Sequence, residues 1–225
     1  LASDFRIEKD FNNVIYGKDI DLYCNRIKCY NPLTNETLKN MADDIPKVTE
    51  DILPDQKLDC VAYGCTSGTI AAGYQSILEK VNSAKPNTKV TTPITSAINA
   101  LKSLNIKKLS IFTPYTNEIN QSVINYFKKE DIEIDQLSYF DIASDLDIGK
   151  VDPQHVFDTL TKIDLLKSDA LFVSCTALPV LSIIKDLEKK TGKIVLSSNQ
   201  TLIWDTLKKI NFNNKVEGFG ELFNN

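Results

Sequence analysis

The sequence predicts an α/β protein of two pseudo-symmetric halves, with parallel sheets flanked by helices and a small-molecule site in the crevice between the halves. Three observations carry this. Short apolar runs alternate with amphipathic stretches along the 225 residues, the pattern of the first half recurs in the second, and the composition is that of a globular chain. Alternating strands and helices imply parallel pairing, because each crossover helix returns the chain to the same end of the sheet. Hydrophobic residues make up 42%, without an apolar run near the ~18 to 20 residues of a membrane span. With 26 basic and 30 acidic residues, a net charge of −4, the positive footprint of a nucleic-acid or anionic-membrane binder is missing. No charged-then-apolar leader opens the chain. The five cysteines, Cys24, Cys29, Cys60, Cys65 and Cys175, form no C-x-x-C pair. Free thiols in a reducing, cytoplasmic compartment are therefore expected.

Leu1 to Asp4 reads as the end of a strand that preceding residues would complete. The strands that follow are expected at Asp21–Cys24, Asp59–Gly64, Val90–Thr92, Leu109–Thr113, Ile132–Tyr139, Ala170–Ser174 and Ile194–Leu196. Each is a short apolar run. Pro46 should split or kink the helical segment between Leu38 and Leu53. Ile70, Tyr74, Ile77, Leu78 and Val81 recur at three and four residues, as do Ile119, Val123, Ile124 and Phe127, so both stretches are expected to be helical. Asp152 and Pro153 read as an N-cap and a first-turn proline, opening a helix that turns Val156, Phe157, Leu160 and Ile163 inward.

The repeat is visible residue by residue. Asp59-Cys60-Val61-Ala62-Tyr63-Gly64-Cys65-Thr66 lines up with Asp169-Ala170-Leu171-Phe172-Val173-Ser174-Cys175-Thr176, 110 residues later. Lys89-Val90-Thr91-Thr92-Pro93 corresponds to Lys193-Ile194-Val195-Leu196-Ser197 at an offset of 104, and Asp19-Ile20-Asp21-Leu22 to Asp131-Ile132-Glu133-Ile134 at 112. Loop-length differences account for the drift. The halves are placed at residues 1–108, carrying Cys65, and 109–225, carrying Cys175, with exchange of the first half's C-terminal segment as one arrangement of the pair.

Cys65 and Cys175 fall at carboxyl ends of strands, where open α/β sheets bind ligands. A helix is expected to begin directly after each, capped by Thr66 or Ser67 and by Thr176, with Gly68 and Pro179 suiting the first turns. Its N–H groups would favour a thiolate or seat a substrate carboxylate. His155 is the single imidazole, so His-ligated metals, Ser-His-Asp triads and Cys-His dyads have no basis, and tuned thiols are the available acid-base groups. One cysteine at a strand end is ordinarily a packing residue; two at equivalent places in a repeat point to function. Cys24 and Cys60 read as core thiols and Cys29 as a loop residue. No metal site is expected.

Tyr63-Gly64-Cys65-Thr66-Ser67-Gly68, Thr91-Thr92-Pro93, Thr113-Pro114-Tyr115, Phe172-Val173-Ser174-Cys175-Thr176-Ala177-Leu178 and Ser197-Ser198-Asn199-Gln200 followed by Trp204 resemble the aspartate/glutamate racemase superfamily. The likeness spans nearly the whole chain and is greatest to its maleate isomerase, arylmalonate decarboxylase and ectoine-utilisation racemase-like branch. That resemblance implies two flavodoxin-like halves, no cofactor, and two cysteines facing each other across a carboxylate substrate. It also hints at a homodimer. Tyr115 matches a tyrosine lining the isomerase site, or else caps a strand end. Asp4 falls where the isomerase pattern has a carboxylate-binding asparagine, and Asp145 aligns with another, unless it is a solvated loop acid. Two aspartates in the pocket would disfavour a dicarboxylate and favour a substrate with one carboxylate and one cationic or donor-rich end. Asn199 and Thr92 are polar lining or helix caps.

The leading expectation is a racemase or epimerase acting at the carbon next to the carboxylate of an ectoine-related or amino-acid-derived substrate, with Cys65 and Cys175 exchanging acid and base roles. A maleate-type cis-trans isomerase or a decarboxylase on the same pair is the alternative enzyme. A non-catalytic binding protein would leave the paired turns without purpose. A thiol-disulfide protein would need Cα atoms within ~7 Å, too close for thiols facing each other across a substrate.

Overall fold

Strand pairing among the described residues is parallel throughout and falls into two sheets. The computed structural model describes residues 1–224. In chain order the strands are β1 (Cys60–Ala62), β2 (Lys89–Thr91), β3 (Lys108–Thr113), β4 (Glu133–Tyr139), β5 (Ala170–Val173) and β6 (Ile194–Ser197). The helices are α1 (Ile7–Ile15), α2 (Asn35–Asn40), α3 (Ile45–Glu50), α4 (Thr66–Ala72), α5 (Tyr74–Ala84), α6 (Pro93–Ser103), α7 (Asn117–Lys129), α8 (Asp145–Gly149), α9 (Pro153–Leu160), α10 (Ile184–Thr191) and α11 (Ser198–Lys209). None is long and apolar enough to cross a membrane.

One sheet pairs β1 with β2, Val61 opposite Val90. The other runs β4-β3-β5-β6, with Ile111 of β3 flanked by Leu137 and Phe172. Every residue of β5 is buried, as expected for a parallel strand covered by helices on both faces. From β3 the chain moves outward to β4, then returns to the other side for β5 and β6. The loops leaving β3 and β5 therefore diverge and open a crevice at the strands' carboxyl ends. Tyr115 and Cys175 lie just past those ends.

The helices follow their sequence signals closely. Pro46 sits in the first turn of α3, separated from α2 by a 3₁₀ turn over Met41–Asp44. The Asp152 carboxylate accepts from Gln154 N and caps α9. The periodic stretch from Ile70 to Val81 is two helices instead of one, because Gly73 takes φ +83° between α4 and α5, a region closed to most side chains.

Two expected strands are absent. Asp21–Cys24 is extended but pairs with no strand, and Leu1–Asp4 makes one ladder-like bond, Ala2 N to Ile27 O at 2.8 Å, before bending away. A cavity of about 570 Å³ lies beside β1, bounded by residues 19–26 and by α1. Without a backbone partner the apolar alternation of this run cannot become a strand, and Cys24 is exposed rather than a core thiol. Cys60 is half-buried and Cys29 lies in a loop.

The halves are tied by α11, which packs on α6 and also reaches β1 and β2. Asp205 of α11 accepts from Ser96 Oγ at 2.9 Å and Asn99 Nδ2 at 3.2 Å, and the Thr91 and Thr206 hydroxyls lie 2.8 Å apart.

Candidate active site

β1 gives way at Tyr63, whose N–H still reaches Thr91 O at 2.9 Å, and the chain enters α4 through Cys65. Cys65 is extended (φ −152°) and acts as N-cap, its Sγ accepting from Gly68 N at 3.2 Å. The turn is tightened by Thr69, whose hydroxyl donates to Cys65 O at 2.7 Å. A Cβ on Gly68 would stand 2.8 Å from Cys65 Sγ and 2.9 Å from the Tyr63 hydroxyl oxygen. Position 68 therefore has no room for a side chain. Ser67 is buried, its hydroxyl 3.9 Å from Cys65 Sγ.

The second cysteine is held differently. Ser174 N continues the ladder to Phe112 O at 2.8 Å, and Cys175 then takes φ +94°. The expected helix after it is missing: residues 176–180 are irregular, and the first turn is a 3₁₀ turn at Leu181–Ile183. Pro179 explains this, since it offers no N–H and biases Leu178 away from helical geometry. The groups that favour a charged Cys175 Sγ are instead the Ala177 N–H and the Tyr115 hydroxyl.

One side chain links both turns. The Ser198 hydroxyl, at the start of α11, lies 2.8 Å from Thr66 Oγ1 and accepts from Cys175 N at 3.0 Å. Thr176 Oγ1 crosses to Gly64 O at 3.4 Å. Asn199 Nδ2 donates to Thr176 O at 2.8 Å and to Asp10 Oδ2 at 2.7 Å. Neither Ser198 nor Asp10 stood out in the sequence as a site residue. Ser198 lies within a recognised motif, whereas no pattern marks Asp10.

Tyr115 is fully buried and interacts electrostatically with both Cys175 and Cys65. Asp145, at the start of α8, likewise acts on both thiols and accepts from Ser3 Oγ at 2.5 Å. At 2% exposure Asp145 is no solvated loop acid. Asp4 is buried as well, and its Oδ1 caps α1 through Arg6 N at 2.7 Å and Ile7 N at 3.1 Å. Cys65, Cys175, Tyr115, Asp4, Asp145, Thr66, Ser67, Thr176 and Asn199 thus form one connected group. Thr92 stands apart: its hydroxyl engages Thr95 Oγ1 at 2.8 Å within the first turn of α6. His155 is exposed on α9, stacked on Phe140.

Burial reverses the expected direction of the thiol pKa values. Loss of hydration pushes Cys65 up to about 12, against the opposing pull of the Gly68 N–H and the Ser67 hydroxyl. Cys175 is pushed well above the ordinary thiol value by burial and then by Asp145. One or two N–H donors do not replace the hydration of a thiolate.

Residues 30–223 match the model of the arylmalonate decarboxylase family. The chain belongs to that family. Relatives within reach of this arylmalonate decarboxylase family member include the maleate isomerase of Geobacillus stearothermophilus, 25% identical over 198 residues that cover 84% of this chain and 78% of the relative. The arylmalonate decarboxylase of Bordetella bronchiseptica is 26% identical over 142 residues, 59% of this chain and 57% of the relative. The fold is shared with a Nocardia farcinica maleate cis-trans isomerase, solved as a cysteine-to-serine mutant with a covalently bound succinylcysteine intermediate, at TM-score 0.90 and 18% identity over 99% of this chain and 94% of that one. A Pseudomonas putida maleate isomerase solved with maleate gives TM-score 0.89 and 20% identity at the same coverage. This family member is accordingly an enzyme of two pseudo-symmetric α/β halves.

Proposed function

We propose that the protein is an isomerase that moves a proton at the carbon next to a substrate carboxylate, with Cys65 and Cys175 as the two acid-base groups and with no cofactor. One observation carries this reading: two buried cysteines end equivalent strands of the two halves, and Asp145 and Tyr115 each act on both. One thiolate takes the proton from carbon, and the electron pair passes into the carboxylate as an enediolate. The other thiol then delivers its proton to the opposite face. A thiolate formed against the cost of burial is a strong base, which suits a weakly acidic C–H. Gly68 N–H, 3.2 Å from Cys65 Sγ, and the Ser67 hydroxyl, 3.9 Å from it, are donors placed for the developing charge. An amino-acid-derived or ectoine-related acid is the substrate class proposed, and a homodimer the proposed assembly.

A second reading follows from the relatives named maleate isomerases. There Cys65 would add to an alkene carbon, rotation would follow, and elimination would restore the thiolate. Proton NMR in deuterated water separates the two. Racemisation washes deuterium into the α-position of a chiral acid; inversion should vanish in Cys65→Ser and Cys175→Ser, each of which keeps exchange on one enantiomer only. Fumarate formed from maleate, with no α-exchange in any chiral acid, would overturn the proton-transfer reading.

A further inference from the structure

The two hydroxyls that join the cysteine turns hold one proton more than they can use. Ser198 Oγ accepts from Cys175 N at 3.0 Å and lies 2.8 Å from Thr66 Oγ1, and neither hydroxyl has another side-chain partner among the described residues. Each carries one proton, and only one of the two can be donated within the pair. A hydroxyl that already accepts becomes the better donor, so the chain of bonds runs from Cys175 N–H to Ser198 and on to Thr66. The proton left over is that of Thr66. Both residues are buried, and a buried donor without an acceptor costs free energy that an acceptor on a ligand removes.

The start of α11 is held without help from either cysteine. Ser197 Oγ accepts from Gln200 N at 3.2 Å, Gln200 Oε1 accepts from Ser197 N at 3.3 Å, and Gln200 Nε2 donates to Phe219 O at 2.7 Å. Ser198 is thereby aimed in advance. The first half has no counterpart, because the repeat that aligns Lys89 with Lys193 puts the buried Ile94 where the second half has Ser198. Cys65 N turns back instead on Tyr63 O of its own chain at 3.0 Å. One hydroxyl therefore serves both turns.

We propose that Ser198 is a positioning residue that couples the two halves of the site: it takes up the Cys175 N–H, holding the left-handed backbone there, and orients the Thr66 hydroxyl as a donor to a substrate oxygen beside Cys65. This rests on the two-cysteine reading for where the substrate sits. Thr66 touches the substrate and Ser198 does not. Negative charge that builds on the substrate draws on the Thr66 O–H and, behind it, on Ser198 and the Cys175 amide. Charge developing beside one thiol thus tightens the hold on the turn that carries the other.

Amide hydrogen exchange, followed by NMR on the full chain without ligand, tests the first contact independently of any reaction. Ser198→Ala should speed exchange at the Cys175 amide severalfold, while Ser174 N, bonded to Phe112 O at 2.8 Å, exchanges as before. Thr66→Val should leave the Cys175 amide protected, since Ser198 keeps its place. A Cys175 amide unmoved by Ser198→Ala overturns the proposal. Turnover tests the second contact, with D- and L-aspartate read as α-hydrogen exchange in deuterated water and maleate read as fumarate; whichever probe the unaltered chain turns over serves for the variants. Packing alone ranks Ser198→Ala above Ser198→Thr, because threonine adds a methyl at a fully buried position. The proposal ranks them the other way, with Ser198→Thr keeping most of the turnover and Ser198→Ala losing about tenfold or more. Thr66→Val should lose a comparable amount, and the double variant should lose less than the product of the single losses, by about twofold or more. A folded Ser198→Thr less active than Ser198→Ala, or single losses that simply multiply, overturns the proposal; the cycle of Ser198→Ala and Thr66→Val decides if Ser198→Thr does not fold. Maleate turned over without aspartate exchange fells the proton-transfer reading and leaves Ser198 to the same variants, and with neither probe turned over the Cys175 amide alone decides.

Discussion

The two cysteine turns occupy equivalent places and are built in unlike ways. Cys65 is extended, caps α4, and has its sulfur on the helix's own Gly68 N–H. Cys175 stands at φ +94°, leads into irregular chain, and takes two of its partners from elsewhere, Ser198 on its N–H and Tyr115 beside its sulfur, with the Ala177 N–H as the local one. The first turn carries its own geometry, whereas the second is held by the rest of the site. Repetition preserved where the thiols sit, and the local chemistry around each diverged. Their electrostatics differ as well, since acidic neighbours, Asp145 and Asp4, weigh more heavily on Cys175.

The largest effects should come from removing either sulfur. Cys65→Ser and Cys175→Ser are each expected to cost ~10²- to 10⁴-fold in turnover, the usual worth of a positioned acid or base. The inequivalence predicts more than loss. Assayed on separate enantiomers, each variant should retain α-hydrogen exchange on only the one whose proton faces the surviving thiol. Identical behaviour of both variants on both enantiomers would erase the distinction between the turns. Next in size is Gly68→Ala, which forces a methyl against Cys65 Sγ and the Tyr63 hydroxyl. Overpacking of this kind costs ~1 to 3 kcal/mol, read as a fall in Tm, and turnover should fall with it as Cys65 shifts. Unchanged Tm and turnover would mean that the first turn is looser than its contacts imply.

What the sequence made legible follows the same division. Features set by local residues could be read directly: the strands β3 to β6, the Pro46 break, the Asp152 cap and the position of both cysteines. Features set by distant neighbours could not. Asp21–Cys24 has the alternation of a strand, but a strand also needs a backbone beside it. The helix expected after Cys175 was inferred from the repeat, although Pro179 in the sequence already argued against it. The thiol pKa direction was missed because helix-end donors are visible in a pattern and burial is not. Asp10 has no signature at all; its role arises from Asn199, 189 residues away.

A smaller test of the contrast concerns backbone strain. At position 175 the left-handed φ disfavours any side chain, so Cys175→Gly should be more stable than Cys175→Ala by ~1 kcal/mol. At position 65 the order of preference changes. Cys65→Ser keeps an N-cap acceptor, and Cys65→Ala should lose ~1 kcal/mol relative to it. Thermal unfolding of the four variants decides this; matching orders at both positions would contradict the geometry.

The smallest effect isolates the second turn through its outermost support. Asp10 is held by burial at a pKa of about 6, above the ordinary 3.8, so the folded chain keeps its proton where the unfolded chain has lost it. Its protonated form contributes stability at low pH, and that contribution is lost as pH rises from about 4 through about 6. Partial exposure to solvent keeps the change to roughly 1 kcal/mol or less. Asp10→Asn cannot ionise, yet its amide oxygen can still accept from Asn199, so the decline over this window should flatten while the turn survives. Urea unfolding at pH 4, 5, 6 and 7 measures it. Parallel curves for the two proteins would mean that Asp10 is more hydrated than its contact with Asn199 suggests, and that the second turn, like the first, is held by its own chain.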